Sequence, residues 1–132
     1  MNQREIKFRC WDKIGKTMWQ NVHFDYTHIY SDKWNEKTET WLGQLPIWSG
    51  VLMQFTGLTD KNGKEKEVYQ GDLIRNCRKG YEPREIYEVV WDEERLEWGV
   101  KNKFGLITSL WTFCKDFEVI GNVFENELLL TP

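Results

Sequence analysis

Several side chains in this sequence could in principle form a metal-binding site. His23, Asp25 and His28 bring two imidazoles and a carboxylate within six residues. In a strand, positions 23 and 25 share one face while position 28 lies on the other, and zinc needs about four ligands. The spacing therefore does not predict a metal site, and we expect no metal or cofactor.

Nucleophilic and acid–base chemistry are weakly indicated as well. The three cysteines are widely spaced and form no CxxC pair: Cys10, Cys77 and Cys114. A catalytic cysteine needs a nearby base and an electropositive setting, so we expect reduced, buried thiols instead. The carboxylates of residues 92–94 are consecutive in a predicted turn, which does not place two carboxyls across a cleft. We therefore expect no catalytic residues and a protein that is not an enzyme.

The most basic part of the chain is a candidate nucleic-acid contact. Its candidate residues are Lys61, Lys64, Arg75, Arg78, Lys79 and Arg84. Tyr69 and Tyr81 lie among them, and cations interleaved with aromatic rings bind single-stranded nucleic acid by charge and stacking. Four glutamates in and next to the same stretch largely cancel its charge. A nucleic-acid surface and a solvated turn both remain open.

Tryptophan is concentrated in the first fifty residues. Five of the eight tryptophans occur there: Trp11, Trp19, Trp34, Trp41 and Trp48. Aromatic side chains are enriched at the centres of protein interfaces. Trp34, Trp41 and Trp48 are therefore predicted either to form a subunit or partner interface or to fill the core. Trp91 and Trp98 are predicted to lie in the core.

Alternating side chains at the N-terminus predict a β-hairpin over residues 4–26. Ile6, Phe8 and Cys10 would share one face of the first strand, and a turn follows at residues 12–16. In the second strand, even-numbered residues from Met18 to Phe24 would oppose odd-numbered ones. Residues 27–31 are predicted to extend the sheet, and 32–40 to form a loop or a short helical turn.

The remaining pattern predicts further strands separated by tight turns. Val51, Met53 and Phe55 alternate with polar residues, and Asn62-Gly63 is typical of a chain reversal. A second bend is predicted at Gly71, where Asp72 would bond to nearby backbone N–H groups. Five short strands between residues 72 and 124 then favour a meandering small barrel.

These elements predict a mainly β fold in which an N-terminal hairpin region packs on a C-terminal SH3-like small barrel. Residues 1–50 would form the hairpin and a Trp-rich region, and residues 51–132 the barrel, within one compact unit. At 132 residues the chain is long enough to bury a core. The net charge of −3 gives no general attraction to nucleic acid. No apolar run approaches a membrane span, and the charged N-terminus leads us to expect a cytoplasmic protein.

Three segments of the chain resemble the YopX family of phage and prophage proteins. The central one comprises Gln54–Leu58, Asp60–Lys64 and Tyr69–Ile74. The opening segment is Arg4–Arg9 with Trp11-Asp12, and the closing one is Glu118–Asn126. Cys10 and the long link at residues 65–68 depart from the family pattern. The resemblance implies a phage or prophage origin, a β-rich fold and homo-oligomers; it supplies no catalytic residues.

We therefore expect a phage or prophage accessory protein that acts as a binding or assembly module. Its expected partner is itself, with a phage or host protein as a further possibility and no membrane. Nucleic-acid binding through residues 61–84 is the alternative function. An enzyme whose site is assembled across subunits is a third interpretation.

Overall fold

The computed structural model describes residues 5–60, 66–77, 85–113 and 116–130. Within them the chain is mainly β, every strand pairing given by the register is antiparallel, and no α-helix occurs. The strands are β1 (Phe8–Asp12), β2 (Thr17–Phe24), β3 (His28–Tyr30), β4 (Trp34–Asn35), β5 (Thr40–Trp41), β6 (Gln44–Pro46), β7 (Gly50–Thr59), β8 (Glu67–Tyr69), β9 (Asp72–Asn76), β10 (Ile86–Asp92), β11 (Glu97–Lys101), β12 (Ile107–Ser109) and β13 (Phe117–Asn122). Short 3-10 turns cover Ile47–Ser49, Leu110–Phe113 and Glu127–Leu130. No helix in this part of the chain has the length and apolarity to cross a membrane.

Two compact units make up the chain, Met1–Phe55 and Thr56–Pro132. In the first, the strands follow the order β6-β3-β2-β1-β7, with β4 and β5 forming a separate pair. In the second, the end of β7 is followed by β8, and five further strands follow the order β12-β11-β10-β9-β13. Neither sheet is closed among the described residues, so the fold is established as mainly β and the SH3-like barrel stays a prediction.

The predicted N-terminal hairpin is confirmed, but its facial pattern is wrong in β2. Phe8 lies opposite Val22 and Cys10 lies opposite Trp19, so β2 has one residue more than β1 between these pairs. This β-bulge includes Asn21, whose φ is 50°. Because the extra residue interrupts the period of two, Trp19 and Val22 both pack on the core with Cys10.

Each unit has its own apolar core. The first is formed by Cys10, Val22 and Ile29, with Phe8, Trp19, Leu45, Ile47 and Leu52 packed against them. The second is formed by Val68, Ile74, Tyr87, Val89, Val100, Leu110, Phe113 and Phe117. Trp98 packs partly buried on the second core, whereas Trp91 is largely exposed, so the core prediction for Trp91 is wrong.

The segment from residue 32 to 40 is neither a plain loop nor a helical turn. Trp34 pairs with Trp41 and Asn35 with Thr40 across the β4–β5 hairpin. The Trp34 and Trp41 rings meet edge to face with their centroids 4.9 Å apart. Cross-strand aromatic pairs of this kind stabilise short strands, and this explains a hairpin in an otherwise polar segment.

Candidate interaction surfaces

Thr56 and Asp60 of the central motif are polar residues that are buried and bonded to the backbone. The Thr56 hydroxyl donates to the carbonyl of Val68 at 2.8 Å. Asp60 is fully buried, and its two carboxylate oxygens accept the N–H groups of Lys66 at 2.9 Å and Val119 at 2.8 Å. The Asp60 carboxylate, just after β7, is therefore bonded both to the residue before β8 and to β13. Its partner in β13, Val119, lies 59 residues further along the chain than Asp60.

The bend at Gly71 is confirmed, together with the role predicted for Asp72. Gly71 has a φ of 87°, which a residue with a Cβ rarely adopts. The buried Asp72 carboxylate accepts the N–H of Tyr69 at 2.7 Å. Gly71 also donates its N–H to the carbonyl of Val89 and accepts the N–H of Val123, both at 2.9 Å. The bend thereby joins three parts of the second unit.

The closing segment folds around the side chain of Asn122. Its Oδ1 accepts the N–H groups of Phe124 and Glu125, and Asn126 Oδ1 accepts the N–H of Asn122 in return. A Cβ on Gly121 would lie 2.5 Å from that Asn126 oxygen, so only glycine leaves space for the turn. The central and closing motifs are thus a connected set of hydrogen bonds that position strands of the second unit.

A row of aromatic rings lies on the first unit. The ring of His23 stacks on Tyr30, with centroids 5.2 Å apart, and meets the edge of Trp41 at 4.2 Å. Trp41 in turn contacts Trp34. Trp41 and Tyr30 are half-buried, whereas Trp34 is 48% exposed. The row therefore both supports the β4–β5 hairpin and presents ring surface to solvent.

Asp25 lies beside this aromatic row in the β2–β3 turn. Its carboxylate accepts the N–H groups of Thr27 and His28 and the hydroxyls of Thr27 and Tyr30. The backbone N–H of Thr27, followed by that of His28, holds the Asp25 pKa well below its usual range. The neighbouring His28 Nδ1 lies 2.9 Å from the Thr27 hydroxyl. No metal-binding cluster of His, Cys, Asp or Glu occurs in the described ranges.

Trp48 differs from the other two predicted interface residues. It lies in the 3-10 turn Ile47–Ser49 and is 69% exposed. Trp34 and Trp41 pack on one another, but within the part of the chain that the structure describes Trp48 has no ring contact. Of the three predicted interface residues, Trp48 is therefore the one whose position is least explained by packing against neighbouring side chains.

Large apolar side chains are also exposed in the second unit, where no site is predicted from the sequence. They are Trp91, Leu96, Phe104, Leu106, Ile107 and Trp111, of which Trp91, Leu106 and Ile107 line one groove. Phe104 and Leu106 lie in and beside a turn that was predicted from Asn102 to Gly105. Large apolar residues at a turn are a signal of exposure, because turns lie at the surface. This signal in the sequence could have identified the surface.

Only one of the six candidate nucleic-acid residues lies among the described residues. Arg75 is on β9 and forms an ion pair with Glu118 on the neighbouring strand β13. Its guanidinium is therefore already bonded within the sheet. Lys61, Lys64, Arg78, Lys79 and Arg84, like the predicted Asn62-Gly63 reversal, lie outside the described residues.

The two described cysteines have opposite environments. Cys10 is fully buried as predicted, and burial raises the pKa of its thiol to about 11, which keeps it protonated. Cys77 is exposed, so its predicted burial is wrong. Cys114 lies outside the described residues.

Comparison with known proteins identifies the family. The family model described as YopX protein matches residues 7–131. The chain belongs to the YopX family. The structure is similar to the crystal structure of protein EF1440 from Enterococcus faecalis, with a TM-score of 0.69 and 25% sequence identity over 98% of this chain and 100% of that chain. No curated protein matches the chain. YopX membership confirms the resemblance of the three motifs, two of which are the hydrogen-bonded segments described above.

Proposed function

We propose that this YopX protein is a phage or prophage accessory protein that acts as a non-enzymatic binding or assembly module and forms homo-oligomers in the cytoplasm of a bacterial host. The observation that carries the proposal is the exposure of large aromatic and aliphatic side chains on each unit. In the first unit these include Trp34 and Trp48, and in the second Trp91 and Trp111. Aromatic residues are enriched at interaction surfaces relative to the rest of the protein surface.

The arrangement of the central motif supports the same role. Its buried polar side chains Thr56, Asp60 and Asp72 bond to backbone groups of their own unit. They hold strands in place, and the exposed aromatic side chains lie on the scaffold that results. The meander of β9 to β12, with β13 returning beside β9, is also the basis on which we propose an SH3-like form for this unit.

Light scattering coupled to size-exclusion chromatography tests the proposal. We expect a protein-only peak at a multiple of the chain mass. A monomeric peak at concentrations up to about 100 μM, well above the dissociation constants of typical specific complexes, would overturn the homo-oligomer. A peak with excess absorbance at the nucleic-acid maximum would instead favour the alternative, nucleic-acid binding through residues 61–84.

Single substitutions then locate the interface. We expect Trp48→Ala to lower the oligomer mass with little change in melting temperature, because its side chain is already exposed. Tyr26→Ala is the matched control: Tyr26 is an aromatic residue of the same unit, 99% exposed, and outside the candidate set. Trp41→Ala should lower the melting temperature, since Trp41 is half-buried between His23 and Trp34. Unchanged mass in Trp48→Ala and Trp41→Ala would exclude the Trp-rich interface.

A further inference from the structure

A groove in the second unit is lined by both apolar and charged side chains. It has a volume of about 440 Å³ and lies between the β10–β11 turn and the start of β12. Its apolar wall is formed by Trp91, Leu106 and Ile107, which are 41%, 66% and 37% exposed. The volume is within the range of roughly 300–1,000 Å³ that is usual for ligand sites. The groove can therefore hold side chains of another molecule.

The charged wall of the groove is acidic. Asp92, Glu93 and Glu94 line it together with Arg95, which gives two more negative than positive charges. Asp92 is buried, accepts the N–H groups of Glu94 and Arg95, and lies 3.9 Å from the Arg95 guanidinium. The charges of Asp92 and Arg95 thus offset each other within the turn.

The two glutamates give the groove its net charge. Glu93 and Glu94 are exposed, and neither forms an ion pair within the described part of the chain. They lie beside the exposed indole of Trp91, whose ring face attracts cations. Two carboxylates, an indole and an aliphatic wall are together complementary to an ammonium or guanidinium group on an apolar stem.

The neighbouring sheet edge favours an extended occupant. β12 is the last strand of its sheet, and no described strand pairs with its outer side. Its residues Ile107–Ser109 carry neither charge nor proline, the features that discourage pairing at sheet edges. At the opposite edge, β13 has a register shift between Val119 and Gly121, and Asp60 accepts the N–H of Val119. The two edges of the sheet therefore differ in their readiness to accept another strand.

We propose that this groove binds an extended segment of a partner protein in which lysine or arginine alternates with aliphatic residues. The segment lies along β12, its cations reach Glu93, Glu94 and the Trp91 ring, and its aliphatic side chains pack on Leu106 and Ile107. The inference goes beyond homo-oligomer formation and rests only on the binding role in the proposed function.

A labelled peptide tests this inference with the full chain. The probe is an acetylated and amidated peptide of alternating lysine and leucine, and fluorescence anisotropy measures its dissociation constant. We expect the Glu93→Gln/Glu94→Gln variant to bind roughly five- to tenfold more weakly, as the loss of two partly exposed charge contacts implies, and to show a shallower salt dependence. A peptide of alternating lysine and serine should also bind more weakly.

The Glu36→Gln/Glu39→Gln variant is the matched control. It makes the same change in net charge at two exposed glutamates of the β4–β5 turn in the first unit. Its affinity should stay within about twofold of the wild type, because neither glutamate lines the groove. Equal losses in both double variants, no binding by the wild type, or equal affinity for the leucine and serine peptides would each overturn the inference.

Two further measurements separate this inference from the proposed function. Leu106→Ser changes only the apolar wall and should weaken leucine-peptide binding without altering the salt dependence; unchanged affinity would contradict the groove. Oligomer mass is measured on every sample. A monomeric wild type that binds the peptide would overturn homo-oligomer assembly and leave the groove in place, whereas an oligomer that ignores the peptide would do the reverse.

Discussion

Two acidic residues of the second unit and two tryptophans of the first unit are placed in opposite ways. Asp60 and Asp72 are polar yet buried, and each bonds to backbone N–H groups. Trp34 and Trp48 are apolar yet exposed. A buried polar group is tolerated where its hydrogen bonds are satisfied. Exposed aromatic groups are available for contact with a neighbouring side chain or with a partner. The buried carboxylates thus stabilise the fold, and the exposed tryptophans are the residues proposed to bind a partner.

The largest expected effect tests whether the buried carboxylate of Asp60 stabilises the fold. Asp60→Ala removes the acceptor of two N–H groups, those of Lys66 and Val119, and should lower the free energy of unfolding by about 2–4 kcal/mol. Asp60→Asn keeps one side-chain oxygen and should lose about half as much. Denaturation in urea measures both. The exposed Asp32→Ala is the control, expected to change stability by less than about 0.5 kcal/mol. Similar losses at Asp32 and Asp60 would contradict the assignment.

A second substitution tests the turn that closes the motif. Gly121→Ala places a Cβ against the Asn126 side chain and should destabilise the protein by about 1–3 kcal/mol. Asn126→Ala removes two of the three Asn126 atoms that would lie nearest to the new Cβ at position 121. The double variant should therefore lose less stability than the sum of the single variants, as measured by thermal unfolding. Strict additivity would show that the two residues do not interact.

A smaller effect is expected where the aromatic row supports its hairpin. Trp34→Ala removes the edge-to-face contact with Trp41, a kind of contact that stabilises by about 0.5–1.5 kcal/mol. Hydrogen exchange should accelerate at the N–H of Leu42, which bonds to Lys33 across this hairpin, and stay unchanged in the second unit. A fall in oligomer mass without faster exchange would instead assign Trp34 to an interface.

The smallest effect concerns pH. The pKa of Asp25 is depressed in the folded protein, first by the backbone N–H of Thr27. Its contribution to stability is therefore present above the unfolded value of about 3.9 and is lost as the pH falls through the lower folded value. The difference in melting temperature between wild type and Asp25→Asn should be largest near pH 7 and shrink below about pH 4. A melting-temperature difference that stays constant with pH would contradict this role of Asp25. Asp32→Asn serves as the control.

Local sequence rules were sufficient for several parts of the fold. The β1–β2 hairpin followed from alternation, and the bend at Gly71 from a glycine beside an aspartate that bonds to the turn. The succession of strands β9 to β13 along the chain followed from short apolar runs separated by polar turns. These features depend on neighbouring residues, so nearby sequence predicts them.

Other features were not predictable from the same rules. The bulge at Asn21 exchanges the faces of β2, and the tolerance of asparagine for a positive φ does not by itself place a bulge there. The strand pairing of Trp34 with Trp41 appears only once both rings are placed. The exposure of Trp91 and Cys77, both expected to be buried, depends on where their strands end relative to the core. Of the candidate surfaces, the sequence predicted the one at Trp48, which stays a prediction, and the groove beside β12 was not predicted.

The sequence by itself determined a mainly β chain, its N-terminal hairpin, its tight bends and its YopX motifs, because period, turn chemistry and motif order are local properties. Only the tertiary structure decided the role of Asp60, since its second partner, Val119, lies 59 residues away. It also decided which aromatic side chains are exposed and that Trp91, Leu106 and Ile107 line one groove. Burial and a shared groove arise when distant strands come together, and a linear pattern contains neither.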